Sequence, residues 1–241
     1  MKIRLISDVH HEFYEDKDLY ANKGEDVLVI AGDLNVGFNR CSESLLKFDT
    51  PDLIYVPGNH EYYHTSTHEF DHKMQRFCAL EHIHYLNPGW TSIGGVNFIG
   101  AALWTNFRND PIAQLTCARS ISDFSVISGH NTEAAKRLYN LHLAYIKHMY
   151  AQVCGPKVIV THFLPAVECI SPQYRGKDPL NNYFANDLGE YISTLEDTTW
   201  LFGHTHDLVD VTINTTQLVA NPYGYNHNPH YQERFINVPS N

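Results

Sequence analysis

Val56-Pro57-Gly58-Asn59-His60-Glu61 decides how this chain reads. Residues 53–56 are a short apolar run, the pattern of a buried strand. The run stops at Pro57-Gly58, and an amide, an imidazole and a carboxylate follow at once. Three polar groups in a row are poor core material, because a buried polar group needs a partner. Loops just past the carboxyl ends of strands are where open α/β sheets place ligands. Asn59-His60 alone would be a weak signal, but four other strand ends of this chain finish the same way.

Upstream, residues 3–6 end at Ser7-Asp8-Val9-His10, and residues 27–31 end at Gly32-Asp33. Downstream, residues 158–161 end at His162, and residues 200–202 end at Gly203-His204-Thr205-His206. Between these runs the chain alternates. Residues 12–26 read as a loop or short helix, and residues 39–48 as a short helix packing Leu45, Leu46 and Phe48. Ser66 with Glu69 fits a capping box, followed by Phe70, Met74, Phe77 and Leu80 on one helical face. Residues 96–103 follow the Gly94-Gly95 turn as a strand, and residues 105–130 look irregular. Asn131 caps the clearest helix, with Glu133 in its first turn. Ala134, Leu138, Leu141, Tyr145 and Met149 predict its buried face, and Gly155-Pro156 ends it. Residues 163–183, with three prolines, read as a long polar loop that walls the substrate side of a site. Residues 186–196 fit a helix, and strands over 208–213 and 217–220 meet at Asn214-Thr215. No repeat or linker interrupts the chain, so residues 1–241 read as one domain.

Composition narrows the class. A length of 241 residues suits one large α/β domain or sandwich. Hydrophobic content of 43% with 18% charged residues fits a globular protein, and no segment is apolar enough to span a membrane. Acidic and imidazole groups follow Lys2 closely, so no signal peptide is expected. Five cysteines without a C-x-x-C pair argue for reduced thiols, small buried hydrophobes in a cytoplasmic setting. The net charge of −10 disfavours binding to a polyanion. Histidine is the outlier, with 16 copies, more than any one site can use.

Residues two apart on an extended segment point the same way. Asp8 with His10, and His204 with His206, can thus each offer two groups to one site. The full set is Asp8, His10, Asp33, Asn59, His162, His204 and His206. These carboxylate, imidazole and amide donors, without thiolate, suit Mn, Fe, Zn or Ni. Seven are too many for one tetrahedral ion and suit two ions sharing a carboxylate, for which Asp33, alone on its strand end, is the best bridge.

The order D-x-H, G-D, G-N-H-E, an isolated His, then G-H-T-H resembles the calcineurin-like metallophosphoesterase superfamily. The matching stretches are Asp8-Val9-His10, Gly32-Asp33, Gly58-Asn59-His60-Glu61, His162 and Gly203-His204-Thr205-His206. The resemblance implies a two-sheet αββα sandwich with a binuclear metal site at the strand C-terminal edge. It implies one ion on Asp8, His10, Asp33 and His206, and another on Asp33, Asn59, His162 and His204, with Mn favoured. It implies hydrolysis of a phosphomonoester or phosphodiester by a hydroxide that the two ions activate. His60 would serve the leaving oxygen, and Glu61 would accept hydrogen bonds that orient its neighbours. Residues 102–107 and 221–225 look like a bacterial and phage subgroup of small members. Tyr223 stands where that subgroup usually has Arg, and Phe163 where a second His is common.

The remaining polar and aromatic residues read more plainly. His11, His64, His68, His72, His82 and His84 are expected on surfaces or helix faces, and His142 and His148 solvated or packed on the long helix. Trp90, Trp104 and Trp200 are expected in the core, and Tyr223, Tyr225 and Tyr231 as packing groups. Arg119 and Arg175, with Arg108, flank irregular segments and are the cations that could clamp a substrate phosphate; surface ion pairs are the default for each. Two other functions compete with an esterase: a nuclease of the same superfamily, which the acidic balance disfavours, and a catalytically idle protein-binding scaffold, which would have lost ligands that this chain keeps.

Overall fold

A computed structural model describes residues 1–177, 179–225 and 231–239. Its strands are Lys2–Ile6 (β1), Val27–Ala31 (β2), Asp52–Val56 (β3), His84–Tyr85 (β4), Gly89–Ile93 (β5), Val96–Ala101 (β6), Lys157–Thr161 (β7), Thr198–Phe202 (β8), Val209–Ile213 (β9), Thr216–Ala220 (β10) and Phe235–Asn237 (β11). They form a five-stranded sheet, β11-β1-β2-β3-β4, and a six-stranded sheet, β5-β6-β7-β8-β10-β9. β1 to β4 run parallel with β11 antiparallel at the edge. β6, β7, β8 and β10 are parallel, flanked by antiparallel β5 and β9.

Side chains alternate across each strand, and both faces of these sheets are buried. Ile3, Leu5, Val27, Val29, Ile54 and Val56 of one sheet meet Val96, Phe98, Val158, Val160, Leu201 and Val219 of the other. The alternate residues, such as Leu28, Ile30, Tyr55, Ile99, Ile159 and Trp200, face outward beneath the helices. The helices are Gly37–Leu45 (α1), Thr67–Leu80 (α2), Pro111–Ser120 (α3), Asp123–Val126 (α4), Thr132–Gln152 (α5), Asn181–Phe184 (α6) and Gly189–Ile192 (α7). α1 and α2 pack together over the first sheet, and α5 lies on β6 of the second. The result is an αββα sandwich whose continuous apolar runs are those of strands covered on both sides.

Several local expectations change. Residues 105–130 are not irregular: they hold α3, capped by the Asp110 side chain with Pro111 in its first turn, and the short α4. Ile112 and Leu115 of α3 are exposed, which breaks the apolar stripe that marks a helix in sequence. The α5 cap on Asn131 is present, but the buried face is Ala135, Tyr139, His142 and Ile146, with Leu141 56% exposed. The face is rotated because a neutral histidine, His142, takes a core position, its Nδ1 accepting the Leu103 N–H at 3.2 Å. Of residues 186–196 only α7 is α-helical. Residues 163–183 are less polar than they read, since Phe163, Leu164, Ala166, Cys169 and Tyr183 are buried. Trp90 lies exposed on edge strand β5, and Cys154 is exposed beyond α5, where the core was expected for both. β4, β5 and β11 carry no strong alternation; β11 gains its place by pairing with β1. Within the tail, residues 226–230, 240 and 241 lie outside the described residues. No helix among the described residues is long and apolar enough to cross a membrane.

Candidate metal centre and substrate cavity

β1, β2, β3, β7 and β8 all end on one side of the sandwich, and the five polar stretches follow those ends. Three glycines let the loops converge. A Cβ on Gly58 would stand 2.1 Å from Asp33 Oδ1, and one on Gly32 would stand 2.2 Å from His162 Nδ1. Gly203 has equally little room, with the Ala31 carbonyl 2.5 Å from where its Cβ would be. The glycine of each motif is thus the space through which a neighbouring functional side chain passes.

Two clusters form. Asp8, His10, Asp33 and His206 bring ligand atoms within 4.8 Å of one another, and so do Asp33, His162 and His204. Asp33 belongs to both. Its Oδ2 lies 3.7 Å from His10 Nε2 and 3.5 Å from His162 Nε2. Asn59 Oδ1 lies 3.1 Å from His162 Nε2, which joins the amide to the second cluster. Asp8 and His10 do share one cluster, but not as neighbours on an extended face, since their φ angles are +50° and +49°. His204 and His206 part: one enters each cluster. Their left-handed backbone, rather than strand alternation, aims them at the two clusters that share Asp33.

The ring nitrogens show what the clusters can hold. His10 Nδ1 donates to Glu12 Oε1 at 3.0 Å, and His162 Nδ1 donates to the Ala31 carbonyl at 2.9 Å. With a proton on Nδ1 alone, the form that could hold a cation, both rings would aim a bare Nε2 inward. His10 Nε2 faces His206 Nε2 at 3.3 Å, and His162 Nε2 faces His204 Nδ1 at 3.1 Å. Lone pairs that face one another beside carboxylates are a donor set for cations, and nitrogen with oxygen suits divalent transition metals.

The electrostatics agree that positive charge belongs here. Burial alone would raise the Asp33 pKa, but His162, His60 and His10 hold it well below the usual range. Burial would lower His162, yet the Asp33 and Asp8 carboxylates carry it up to about 10. His204, buried and 3.1 Å from His162, is pushed the other way by burial and by that neighbour's charge. One proton between the two rings excludes a second.

His60 stands at the cavity side. Its Nδ1 donates to Glu12 Oε1 at 2.8 Å, and its ring stacks on Tyr63 with centroids 4.3 Å apart. Burial would lower its pKa, but the charges of Asp33 and Glu12 lift it to about 9. Glu12 is opposed by burial and brought down to about 2 by its bonds from His10 and His60. Glu61 is fully buried and accepts from four donors: the backbone N–H groups of Asp33, Leu34 and Gly58, and the Tyr55 hydroxyl, at 2.9–3.1 Å. Burial and the nearby Asp33 charge push its pKa to about 8, while four converging donors demand an acceptor. We read it as the carboxylate that staples the Gly32-Asp33 loop to the Gly58-Asn59 loop.

A cavity of about 650 Å³ opens beside Asp33, Asn59, His60, His204 and His206. The 163–183 segment supplies much of its wall through Leu164, Ile170, Tyr174, Lys177, Leu180 and Tyr183. Arg175 is exposed, with Nε donating to the Ile170 carbonyl at 3.2 Å, and Arg119 is exposed near the end of α3. Neither is among the lining residues, although their neighbours Tyr174 and Ser120 are. Arg108 instead reaches back to the Ala185 and Asn181 carbonyls at 3.2 and 3.4 Å.

Four contributors escape the sequence motifs. Glu12 extends the Asp8-x-His10 alternation by one more step, a signal that was available. Asp123 accepts from Asn59 Nδ2 and from the Tyr63 and Tyr183 hydroxyls, across sixty residues or more, with no local pattern to reveal it. Tyr183 lies in the segment that read as a polar loop. Tyr225 was expected to pack in the tail, yet it stacks on His10 at 4.3 Å and leans on His206 at 4.5 Å. Tyr223 packs as expected and donates to Asp16 Oδ2 at 2.6 Å; Phe163 lies against the His204 ring at 4.3 Å.

Known proteins share this architecture. The chain is similar to a phosphopantetheinyl hydrolase from Mycobacterium tuberculosis, with TM-score 0.74, 17% identity, and 93% of this chain and 89% of that one covered. It is similar to a protein of Thermus thermophilus, with TM-score 0.60, 13% identity and coverage of 92% and 88%. A dimetal phosphatase from Danio rerio aligns with TM-score 0.51, 17% identity and coverage of 98% and 91%. In sequence, an uncharacterised protein of Acanthamoeba polyphaga mimivirus is 26% identical over 260 residues, covering 93% of this chain and 91% of its own length. Residues 1–208, which contain every one of the five strand-end motifs, match the family described as calcineurin-like phosphoesterase, and the chain belongs to that family.

Proposed function

We propose that the protein is a binuclear metal-dependent hydrolase of a phosphomonoester or phosphodiester, carried on residues 1–241 as one domain. The observation that supports this most is Asp33, whose Oδ2 lies between His10 Nε2 and His162 Nε2, so that one carboxylate serves both clusters. Asp8, His10, Asp33 and His206 would hold one divalent ion, Mn before Fe, Zn or Ni. Asp33, Asn59, His162 and His204 would hold the other. When bound, the ions supply charge to the phosphoryl oxygens and acidify the attacking water.

The chain's own groups do the rest. Glu12 keeps a proton on His60 Nδ1, which leaves Nε2 to deliver a proton to the departing oxygen. Tyr63 stacked on the ring fixes its plane. Phe13 and Tyr225 cover the outer side of His10 and limit water there. The cavity has the size of a small-molecule site, and its wall is largely apolar, with Lys177 the one Lys or Arg among the described residues that line it. That favours an ester with an apolar or aromatic body and counts against a polyanionic nucleic acid. Retention of the whole donor set counts against an idle scaffold.

The test is a Mn²⁺-supplemented screen of mono- and bis-nitrophenyl phosphates, nucleotides, a phosphopeptide and a phosphopantetheinyl ester. The last is included because the Mycobacterium protein of similar fold is a phosphopantetheinyl hydrolase. Metal-dependent turnover that Asp33→Asn abolishes is expected; metal-loaded protein that hydrolyses none of them would refute the proposal.

A further inference from the structure

We propose that Asp123 is a positioning residue that decides which atom of Asn59 faces the second cation site. The inference rests on the two-ion reading above. A side-chain amide presents an oxygen and a nitrogen in nearly the same shape, and only the oxygen offers lone pairs; the turned amide would aim N–H groups at a cation. The contacts of Asn59 are one-sided. Oδ1 lies 3.1 Å from His162 Nε2, and Nδ2 donates to Asp123 Oδ1 at 3.2 Å. Both Asp123 oxygens already accept tyrosine hydroxyls and offer acceptors on the side of Asn59, so the amide meets Asp123 with its nitrogen.

Asp123 is itself held in place. It is 2% exposed, at the start of α4. Its Oδ1 also accepts the Tyr63 hydroxyl at 2.8 Å, and its Oδ2 accepts the Tyr183 hydroxyl. Three donors from two distant parts of the chain, the stretch after β3 and the 163–183 segment, converge on one carboxylate. Tyr63 is the ring stacked on His60, and Tyr183 belongs to the cavity wall and packs on Phe163 with centroids 5.4 Å apart. The carboxylate therefore connects the amide of a cation site to the wall that a substrate body would touch. A purely structural role, in which Asp123 only satisfies two tyrosine hydroxyls, makes a different prediction, because it does not act through Asn59.

The experiment titrates Mn²⁺ alone into wild type, Asp123→Asn, Asn59→Ala and the double variant, by calorimetry and by the electron paramagnetic resonance of the coupled ion pair. Asparagine keeps the volume of Asp123 but lets either end of Asn59 bind it. Expected is a first ion held as in wild type, a second held about 10–100-fold more weakly, and a reduced coupled-pair signal. In the Asn59→Ala background, Asp123→Asn should add nothing. The Tyr63→Phe/Tyr183→Phe pair, which spares the Asn59–Asp123 bond, should keep the second ion. Equal weakening with and without Asn59, weakening by the tyrosine pair to the same degree, or wild-type binding in Asp123→Asn would each overturn the proposal. Should Asp123→Asn fail to fold, Asp123→Glu, which moves the carboxylate by one methylene, is read in the same two backgrounds. Wild-type protein that takes up fewer than two Mn²⁺ would refute the two-ion reading itself.

Discussion

Gly58→Ala isolates a steric effect at the centre of the site. A methyl there would stand 2.1 Å from Asp33 Oδ1 and 2.6 Å from the Asp33 backbone nitrogen. The carboxylate can swing aside, but the nitrogen cannot, because its N–H is tied to Glu61 Oε2 at 3.1 Å. Ordinary contact begins at 3.4 Å, so the two loops must part by about 0.8 Å. Overpacking of this kind typically costs about 1–3 kcal/mol, and a misplacement of roughly 1 Å can cost about 10²-fold in rate. Because Asp33 belongs to both clusters, the displacement should weaken both ions together. Gly37→Ala is the control. Gly37 has φ +72°, so alanine there is strained by about 1–2 kcal/mol, but nothing lies within 4 Å of the added Cβ. The assay is metal content, melting temperature and kcat on a nitrophenyl phosphate, with Mn²⁺ in excess. Both variants should melt a few degrees lower, and only Gly58→Ala should lose metal and rate. A Gly58→Ala protein with wild-type metal content and turnover would refute the account of how these loops are packed.

Asp33→Asn should deplete both ions, where loss of an unshared ligand should chiefly affect one; elemental analysis that finds a single ion lost would assign the bridge elsewhere. His60→Ala should keep its metal and lose about 10²–10⁴-fold in kcat on esters with poor leaving groups. The loss should shrink for nitrophenyl esters, and a metal content that fell in step with rate would make His60 a ligand instead. His142 is fully buried, and desolvation takes its pKa from 6.5 to about 3. The unfolded chain therefore binds more protons between those values, and stability that is complete above pH 6.5 is lost as pH falls towards 3. The span is on the order of 5 kcal/mol. His142→Gln, which can still accept the Leu103 N–H, should flatten that part of a denaturant-midpoint versus pH curve, and an unchanged slope would show that other groups carry the acid transition.

The strand ends were legible because they combine two independent signals. Apolar runs such as 27–31 and 158–161 cannot be surface, and the polar groups that follow them cannot be core. The packing partners were harder to read. Asp123 sits after a helix whose exposed Ile112 and Leu115 hide its periodicity, and its partners Asn59, Tyr63 and Tyr183 are brought to it only by the tertiary fold. Tyr225 looked like one of several tail tyrosines, and nothing local marks it as the one that covers His10. The α5 stripe was misjudged for a chemical reason. Histidine counts as polar in a hydrophobic pattern, yet neutral His142 fills a core position once a backbone N–H is there to meet it. Arg175 drew attention as a cation on the wall segment, but at a surface turn an arginine's long side chain finds its own chain's carbonyl first.

The backbone of the site explains why loops, rather than strands, carry the chemistry. Asp8, His10, Asp33, His204 and His206 all have φ between +49° and +65°. For residues other than glycine that region is unfavourable by about 1–2 kcal/mol each, so five of them approach the net stability of a typical domain, about 5–15 kcal/mol. Parallel strands send alternate side chains to opposite faces, so five neighbouring strand ends cannot aim at one point while they remain in the pleat. A left-handed residue turns the chain out of the pleat in one step. The turned loops then bond to one another: Asp8 N–H to the Gly32 carbonyl and His10 N–H to the Asp33 carbonyl, both at 2.9 Å, and His204 N–H to the Asp8 carboxylate at 2.9 and 3.1 Å. Asp33 Oδ1 accepts the His60 N–H at 2.9 Å while its Oδ2 faces the two clusters. The same carboxylates that could hold cations thus also hold the loops. Glycine at any of these five positions would relieve the backbone and remove a donor in the same substitution, so stability and the site pull in opposite directions at each of them.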